Sequence, residues 1–358
     1  MQPDMTPSQL NPALMKILAS KAALGAAQQD AASLDELARE IEKIDQGKNV
    51  GRPAASLDLS SAVIEFPALL ALTIPERKCH VPWLPEGGIV MAYGPRGIGK
   101  TFFTLGLATA LTTGKDFLRW PVTAPVGVLY VDGEMSLHEL RTRTTALMGN
   151  PPKALLHFLS GERVYHELER DLVLTGEAMR NAVVTFLTAH PDIRVVILDN
   201  VSCLFPGINE DKKQAWEPIS AWLVRLRHRG LATVLVHHGG KSGEQRGTSG
   251  REDALDAVIQ LSRTAGYEAQ EGCHFELRFT KARSVKGEDV SPLDVKITEA
   301  GGALQWTFKA LEESKLDQAK RLFDEGVTSP TALAEELGVT TGYASKMLSK
   351  IKSQQATE

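Results

Sequence analysis

Positions 94–101 read GPRGIGKT, directly after the apolar run Ile89–Tyr93 and directly before FFTLGLATAL at 102–111. The stretch matches G-x-x-x-x-G-K-[ST], with Gly94, Gly99, Lys100 and Thr101 at the fixed places. Glycines there permit a tight turn whose successive N–H groups point inward at phosphate oxygens. Lys100 adds a point charge for the β- and γ-phosphates, and Thr101 a hydroxyl ligand for Mg²⁺. The competing explanation is a glycine-rich turn with a chance lysine, and the flanks argue against it. A β-rich run leads in and a helical apolar spacing leads out, so the loop meets a helix N-terminus whose dipole favours anions. Gly94, Pro95, Arg96, Gly97, Ile98, Gly99, Lys100, Thr101 and Phe102 are the expected contacts of bound ATP and its Mg²⁺.

Beyond this loop the chain alternates β-rich runs with helical stretches. The runs are VGVLYVDGE, RVVILDN, LATVLVHH, ALDAVIQL and HFELRFTKAR. The alternation predicts an α/β domain over residues 61–310, a mostly parallel sheet with flanking helices. VKITEAGGALQWTFKA reads as a hairpin around Gly301 and Gly302, extending the sheet antiparallel. Residues 1–60 are rich in Ala, Gln, Ser and Asp. Within them Leu34, Leu37, Ala38, Ile41 and Ile44 share a helix face behind Ser33 as N-cap, a helical extension suited to docking on a neighbour. Residues 311–358 turn helical. Ala334, Gly338 and Val339-Thr340 follow a helix-turn-helix pattern, winged-helix-like, with the glycine at the turn. TTGYASKMLSKIKS carries Lys346, Lys350 and Lys352 without an acid, as phosphate contacts from a recognition helix require. Acids and bases nearly balance over the whole module, which suits a protein-docking role almost equally well.

Composition narrows the class. A chain of 358 residues needs one large domain with appendages, or two domains. Its 23% charged and 43% hydrophobic residues are those of a soluble globular protein. No apolar run approaches the roughly 20 residues that span a bilayer, and MQPDMTPSQL lacks the features of a signal peptide. A cytoplasmic protein with no membrane contact is expected. Cys79, Cys203 and Cys273 are scattered, which suggests neither a disulfide frame nor a zinc site. The net charge of −4 exerts no global pull on nucleic acid, so DNA binding must come from local basic surfaces.

Three further strand ends supply candidate chemistry. RVVILDN ends in Asp199, placed to meet the Mg²⁺ water shell, with a turn-capping aspartate as the alternative. VLYVDGE brings Asp132 and Glu134 to the carboxyl end of another strand, where ligands sit in open parallel sheets. Either carboxylate there can orient and deprotonate an attacking water. VLVHHGG ends with His237 and His238, either of which can hydrogen-bond a γ-phosphate, or simply be satisfied at a strand end. GGKSGEQRGTSGRED follows, a glycine-rich loop carrying Lys241, Arg246 and Arg251.

Taken in order, LPEGGIVMAYGPRGIGKT, LYVDGEM, VVILDN, VLVHHGGKSG, RGTSGREDALDAV and FTKAR resemble the RecA-fold ATPases. They most resemble the RepA-type hexameric replicative helicases of plasmids, with relatives in phages and integrated mobile elements. The likeness spans about residues 83–285. It implies that Glu134 rather than Asp132 is the hydrolytic base, and that His237 or His238 senses the γ-phosphate. Arg143 falls where the family often places an arginine facing the site. The likeness further implies that Lys281 and Arg283 reach a neighbour's γ-phosphate, and that Lys241, Arg246 and Arg251 touch single-stranded DNA. A homo-oligomeric, hexameric ring with a replication-initiation partner is the implied assembly. The N-terminal region and terminal helix-turn-helix depart from a minimal RepA-type helicase. They leave open an ATP-switched DNA-binding regulator or loader, and a RecA-like recombination ATPase.

Overall fold

The computed structural model describes residues 59–208, 213–239, 254–264, 267–268, 272–283, 285–311, 315–324 and 326–355. The expected helix near 33–44 and the cations Lys241, Arg246 and Arg251 lie outside the described residues. The chain divides into two compact units, Met1–Pro75 and Glu76–Glu358. The described part of the first holds a short helix α1 (Phe66–Ala71), and Phe66, Leu70 and Ile74 there are exposed.

In the second unit a small antiparallel ribbon, β1 (Cys79–Val81) with β2 (Leu84–Pro85), leads into β3 (Ile89–Gly94). Then follow α2 (Lys100–Thr113), β4 (Gly127–Asp132), α3 (Leu137–Met148), β5 (Leu156–Ser160), α4 (Gly161–Leu168) and α5 (Glu177–Ala189). Next come β6 (Ile193–Asp199), α6 (Val201–Leu204), α7 (Lys213–His228), β7 (Ala232–His238), β8 (Ala257–Ser262) and β9 (His274–Ala282). The hairpin β10 (Leu293–Ala300) and β11 (Ala303–Ala310) closes the sheet, and α8 (Lys315–Asp324), α9 (Pro330–Leu337) and α10 (Thr341–Gln355) end the chain.

The sheet order is β11-β10-β9-β8-β3-β7-β6-β4-β5. The run from β8 to β5 is parallel, and β8 through β11 pair antiparallel. The fold is α/β, with a mixed, mostly parallel sheet flanked by helices. Strands β3 and β4 are buried at every position, as central parallel strands covered on both faces must be. One core lies between the sheet and α2, around Trp83, Phe103, Phe117 and Phe275. The other lies on the opposite face under α5, α6 and α7, around Trp216, Trp222 and Leu226. Helix α2 is almost wholly buried, and its Thr109, Thr112 and Thr113 hydroxyls donate to carbonyls of the preceding turn, which satisfies them inside the core.

The start of β3 is fixed by a buried carboxylate. Asp256 accepts from the Ile89 N–H at 2.9 Å and pairs with Arg227 of α7 at 2.6 Å. This clamp ties the strand that feeds the glycine-rich loop to the helix beneath it. The three C-terminal helices pack on each other through Ala319 of α8, Leu333 and Leu337 of α9, and Met347, Leu348 and Ile351 of α10. A three-residue turn, 338–340, joins α9 to α10. No strand follows β11 among the described residues, so the winged-helix likeness has no wing there. No described helix is long and apolar enough to cross a membrane.

His80 on β1 gives a pH signature. Burial pushes its imidazole down to about 4, with Glu86 working against that shift. The unfolded imidazole protonates first, so its contribution is complete above about pH 6.5 and is lost as pH falls toward 4. Acid titration of thermal stability should show this loss, on the order of 2–3 kcal/mol, and His80→Gln should flatten the profile between those limits.

Candidate active site

Four strand ends meet at the carboxyl edge of the sheet. Gly94 ends β3 and pairs with His238 at the end of β7, while Asp132 ends β4 beside Asp199 of β6. Strand β7 lies between β3 and β6, so its terminal histidine falls between the glycine-rich loop and Asp199. A cavity of about 620 Å³ opens here, lined by Lys100, Thr101, Glu134, Arg143, Asp199 and His238 among others. That is ample for a nucleotide.

The loop is shaped by what surrounds it. A β-carbon on Gly94 would collide with the Leu261 carbonyl, and one on Gly99 with the Cys273 sulfur. Gly99 also stands at φ +108°, a conformation that side chains disfavour, immediately before α2. Lys100 donates from Nζ to the Gly94 and Pro95 carbonyls at 2.9 and 2.8 Å, so its ammonium lies inside the curl of the loop. Burial pushes Lys100 down to about 8, opposed by the charges of Asp199 and Glu134. The Thr101 hydroxyl lies beside the Asp199 carboxylate and favours its charged form, against the burial that raises its pKa. These are two hard oxygen donors side by side, one at the start of α2 and one at the end of β6, and they fit Mg²⁺.

The two carboxylates after β4 separate by geometry. Asp132 is buried, and its Oδ1 accepts the N–H groups of Glu134 and Met135 at 2.9 and 2.7 Å. Burial pushes it up to about 6, with those two backbone bonds acting the other way. It shapes the turn. The Glu134 side chain is 61% exposed at the cavity, with Oε2 4.0 Å from Nε2 of His238. The histidines separate as well. His237 is fully buried and does not line the cavity, whereas His238 does. Burial lowers the pKa of His238, reinforced by the charge of Lys100. Both effects favour the neutral imidazole, in which one ring nitrogen donates a hydrogen bond and the other accepts one.

Arg143 reaches the same cavity. Its guanidinium stacks 5.0 Å from the centroid of the Phe102 ring and pairs with Glu139 at 3.0 Å. Lys281 and Arg283 do not line it. Lys281 is next to last in β9, opposite Val258, and Arg283 lies just past the strand end with its N–H donating to the Asp256 carbonyl. Lys346 and Lys350 are exposed on α10.

Two site residues escaped sequence reasoning. Tyr130, buried in mid-β4, donates its hydroxyl to Asp199 at 2.6 Å and shares another hydrogen bond with Thr104 at 2.9 Å. Asn200 bonds to Glu134. Tyr130 read as one more apolar strand residue, and Asn200 as the residue after a motif.

A family model described as an AAA domain matches residues 56–244, over half of the chain. The chain belongs to this AAA domain family. No curated protein matches it. The matched span of the AAA domain runs through the glycine-rich loop, both carboxylate strands and β7; Lys281, Arg283 and the C-terminal helices lie beyond it. The chain thus carries an ATP-binding and ATP-hydrolysing domain of the broad AAA and RecA-fold group, a coarser assignment than the RepA-type helicases.

Proposed function

We propose that the protein is a ring-forming, DNA-stimulated ATPase that translocates on single-stranded DNA, a replicative helicase of the RepA type from a plasmid, phage or integrated mobile element. In this reading the backbone from Gly94 to Phe102 and Lys100 hold the nucleotide phosphates. Thr101 and Asp199 hold Mg²⁺, partly through water, and Tyr130 steadies Asp199. Bound Mg²⁺ supplies neutralisation of charge on the β- and γ-phosphate oxygens. Glu134 orients the attacking water and accepts its proton, and His238 reports the γ-phosphate to the loop after β7.

The observation that carries the ring is the placement of Lys281 and Arg283. The resemblance makes them partners of a γ-phosphate, and they do not line the cavity of their own chain. In this reading a second copy presents them. The test is strand displacement on a forked duplex, with ATP turnover measured with and without single-stranded DNA. Unwinding with DNA-stimulated turnover supports the helicase. Nucleotide-dependent binding without unwinding would instead support the ATP-switched regulator.

That second reading draws on α10. Its lysines point to solvent from a helical unit with its own core, which suits phosphate contacts. In the full-length chain, Lys346→Glu with Lys350→Glu should weaken duplex binding at all sequences alike. It should also reduce the slope of log affinity against log salt by about 2, as expected for two lost phosphate contacts. An unchanged slope would assign the module to protein docking.

A further inference from the structure

We propose that Asn200 is a positioning residue for hydrolysis: its amide holds the Glu134 carboxylate in the orientation from which that carboxylate takes a proton. The inference rests on the reading of Glu134 as the base. It adds the group that aims it.

Asn200 follows the last residue of β6 and is buried. Its side-chain oxygen is already committed, since it accepts the Cys203 N–H at 3.1 Å and so caps α6. The amide cannot turn over without breaking that bond, which forces Nδ2 toward the cavity. There it donates to Oε2 of Glu134. The backbone of the glutamate loop is pinned to the same strand end, because the Gly133 N–H donates to the Asp199 carbonyl at 2.8 Å. Strand β6 therefore controls both the height of the loop and the direction of the carboxylate.

The chemistry suits an amide. A carboxylate has two oxygens with about four acceptor positions, so a bond to Oε2 leaves Oε1 for a water. A neutral donor orients the group without bringing a full positive charge that would weaken it as a base. The need for such a restraint is plain, because the Glu134 side chain is largely exposed and would otherwise sample several rotamers. A misplacement near 1 Å in such a site costs about 10²-fold in rate.

Asn200→Ser tests the assignment, because serine is also a good N-cap and retains the structural bond to α6 while losing the donor to Glu134. We expect kcat for ATP to fall about 10- to 100-fold, with KM and nucleotide affinity changed less than about threefold. Should that variant fail to fold, Asn200→Asp keeps both the shape and the capping oxygen, and sets a like charge against Glu134; it should lose at least as much. In a Glu134→Gln background, Asn200→Ser should cause no further loss of the residual turnover, since the group it positions is gone. Full turnover in Asn200→Ser, a rise in turnover, or an additive loss in the double variant would each overturn the inference. Loss of the base reading itself is distinguishable: Glu134→Gln alone would then keep near-normal turnover.

Discussion

Glu134→Gln should bind ATP as tightly as the parent chain and hydrolyse it about 10²- to 10⁴-fold more slowly, the range general base catalysis supplies. The substitution keeps shape and removes basicity, and its amide oxygen can still accept from Asn200. The loss then belongs to kcat, because the group acts on the water and not on the bound nucleotide. Lys100→Ala should show the opposite pattern. Its ammonium sits within the loop on the Gly94 and Pro95 carbonyls, where phosphate oxygens compete for it. Removing a charge-assisted contact of this kind costs about 1.5–3 kcal/mol, a weakening of roughly 10- to 100-fold in nucleotide affinity. Equilibrium binding of a labelled nucleotide alongside single-turnover hydrolysis separates the two effects. Near-normal turnover in Glu134→Gln would move the base elsewhere. Asp132 is then a poor substitute, because one of its oxygens already serves two backbone N–H groups.

Arg283→Ala should leave nucleotide binding nearly intact while hydrolysis falls by about 10³–10⁵, or roughly 4–7 kcal/mol, if the arginine serves a neighbour's γ-phosphate. The residue lies past the end of β9, away from the lining of its own cavity. A mixing experiment decides it. Arg283→Ala subunits keep a sound phosphate loop, and Lys100→Ala subunits keep a sound arginine, so a mixed ring contains some complete sites. Equal mixing should recover activity that neither variant has alone. Mixed rings, verified to contain both subunits and yet showing no recovery, would place the arginine's action within its own subunit or nowhere in the reaction.

The site was legible in the sequence where chemistry is local to the backbone. The spacing of Gly94, Gly99, Lys100 and Thr101 could be read directly, because a phosphate cradle is built from consecutive N–H groups and needs no distant partner. The runs ending in Asp132, Asp199 and His238 were readable for a similar reason. Buried parallel strands are continuous apolar runs, and polar residues at their carboxyl ends stand out against them. The GG turn of the last hairpin was likewise local, as β10 and β11 bear out. Strand β5 was not foreseen. It is an edge strand with half-exposed positions, so its apolar pattern is diluted.

Choices between neighbours needed the tertiary structure. Asp132 and Glu134 are equivalent in a sequence, yet one side chain turns back onto backbone N–H groups and the other faces the cavity. His237 and His238 alternate across a strand; only the insertion of β7 between β3 and β6 decides which of them meets the site. Tyr130 and Asn200 acquire roles through partners 69 and 66 residues away, Asp199 and Glu134, so no local pattern could mark them. The sequence by itself determined the loop, the strands and the class of chemistry, because backbone conformation and burial are written residue by residue. Which side chains face one another was decided by sheet order and register, since pairing strands distant in the chain is what brings their ends together.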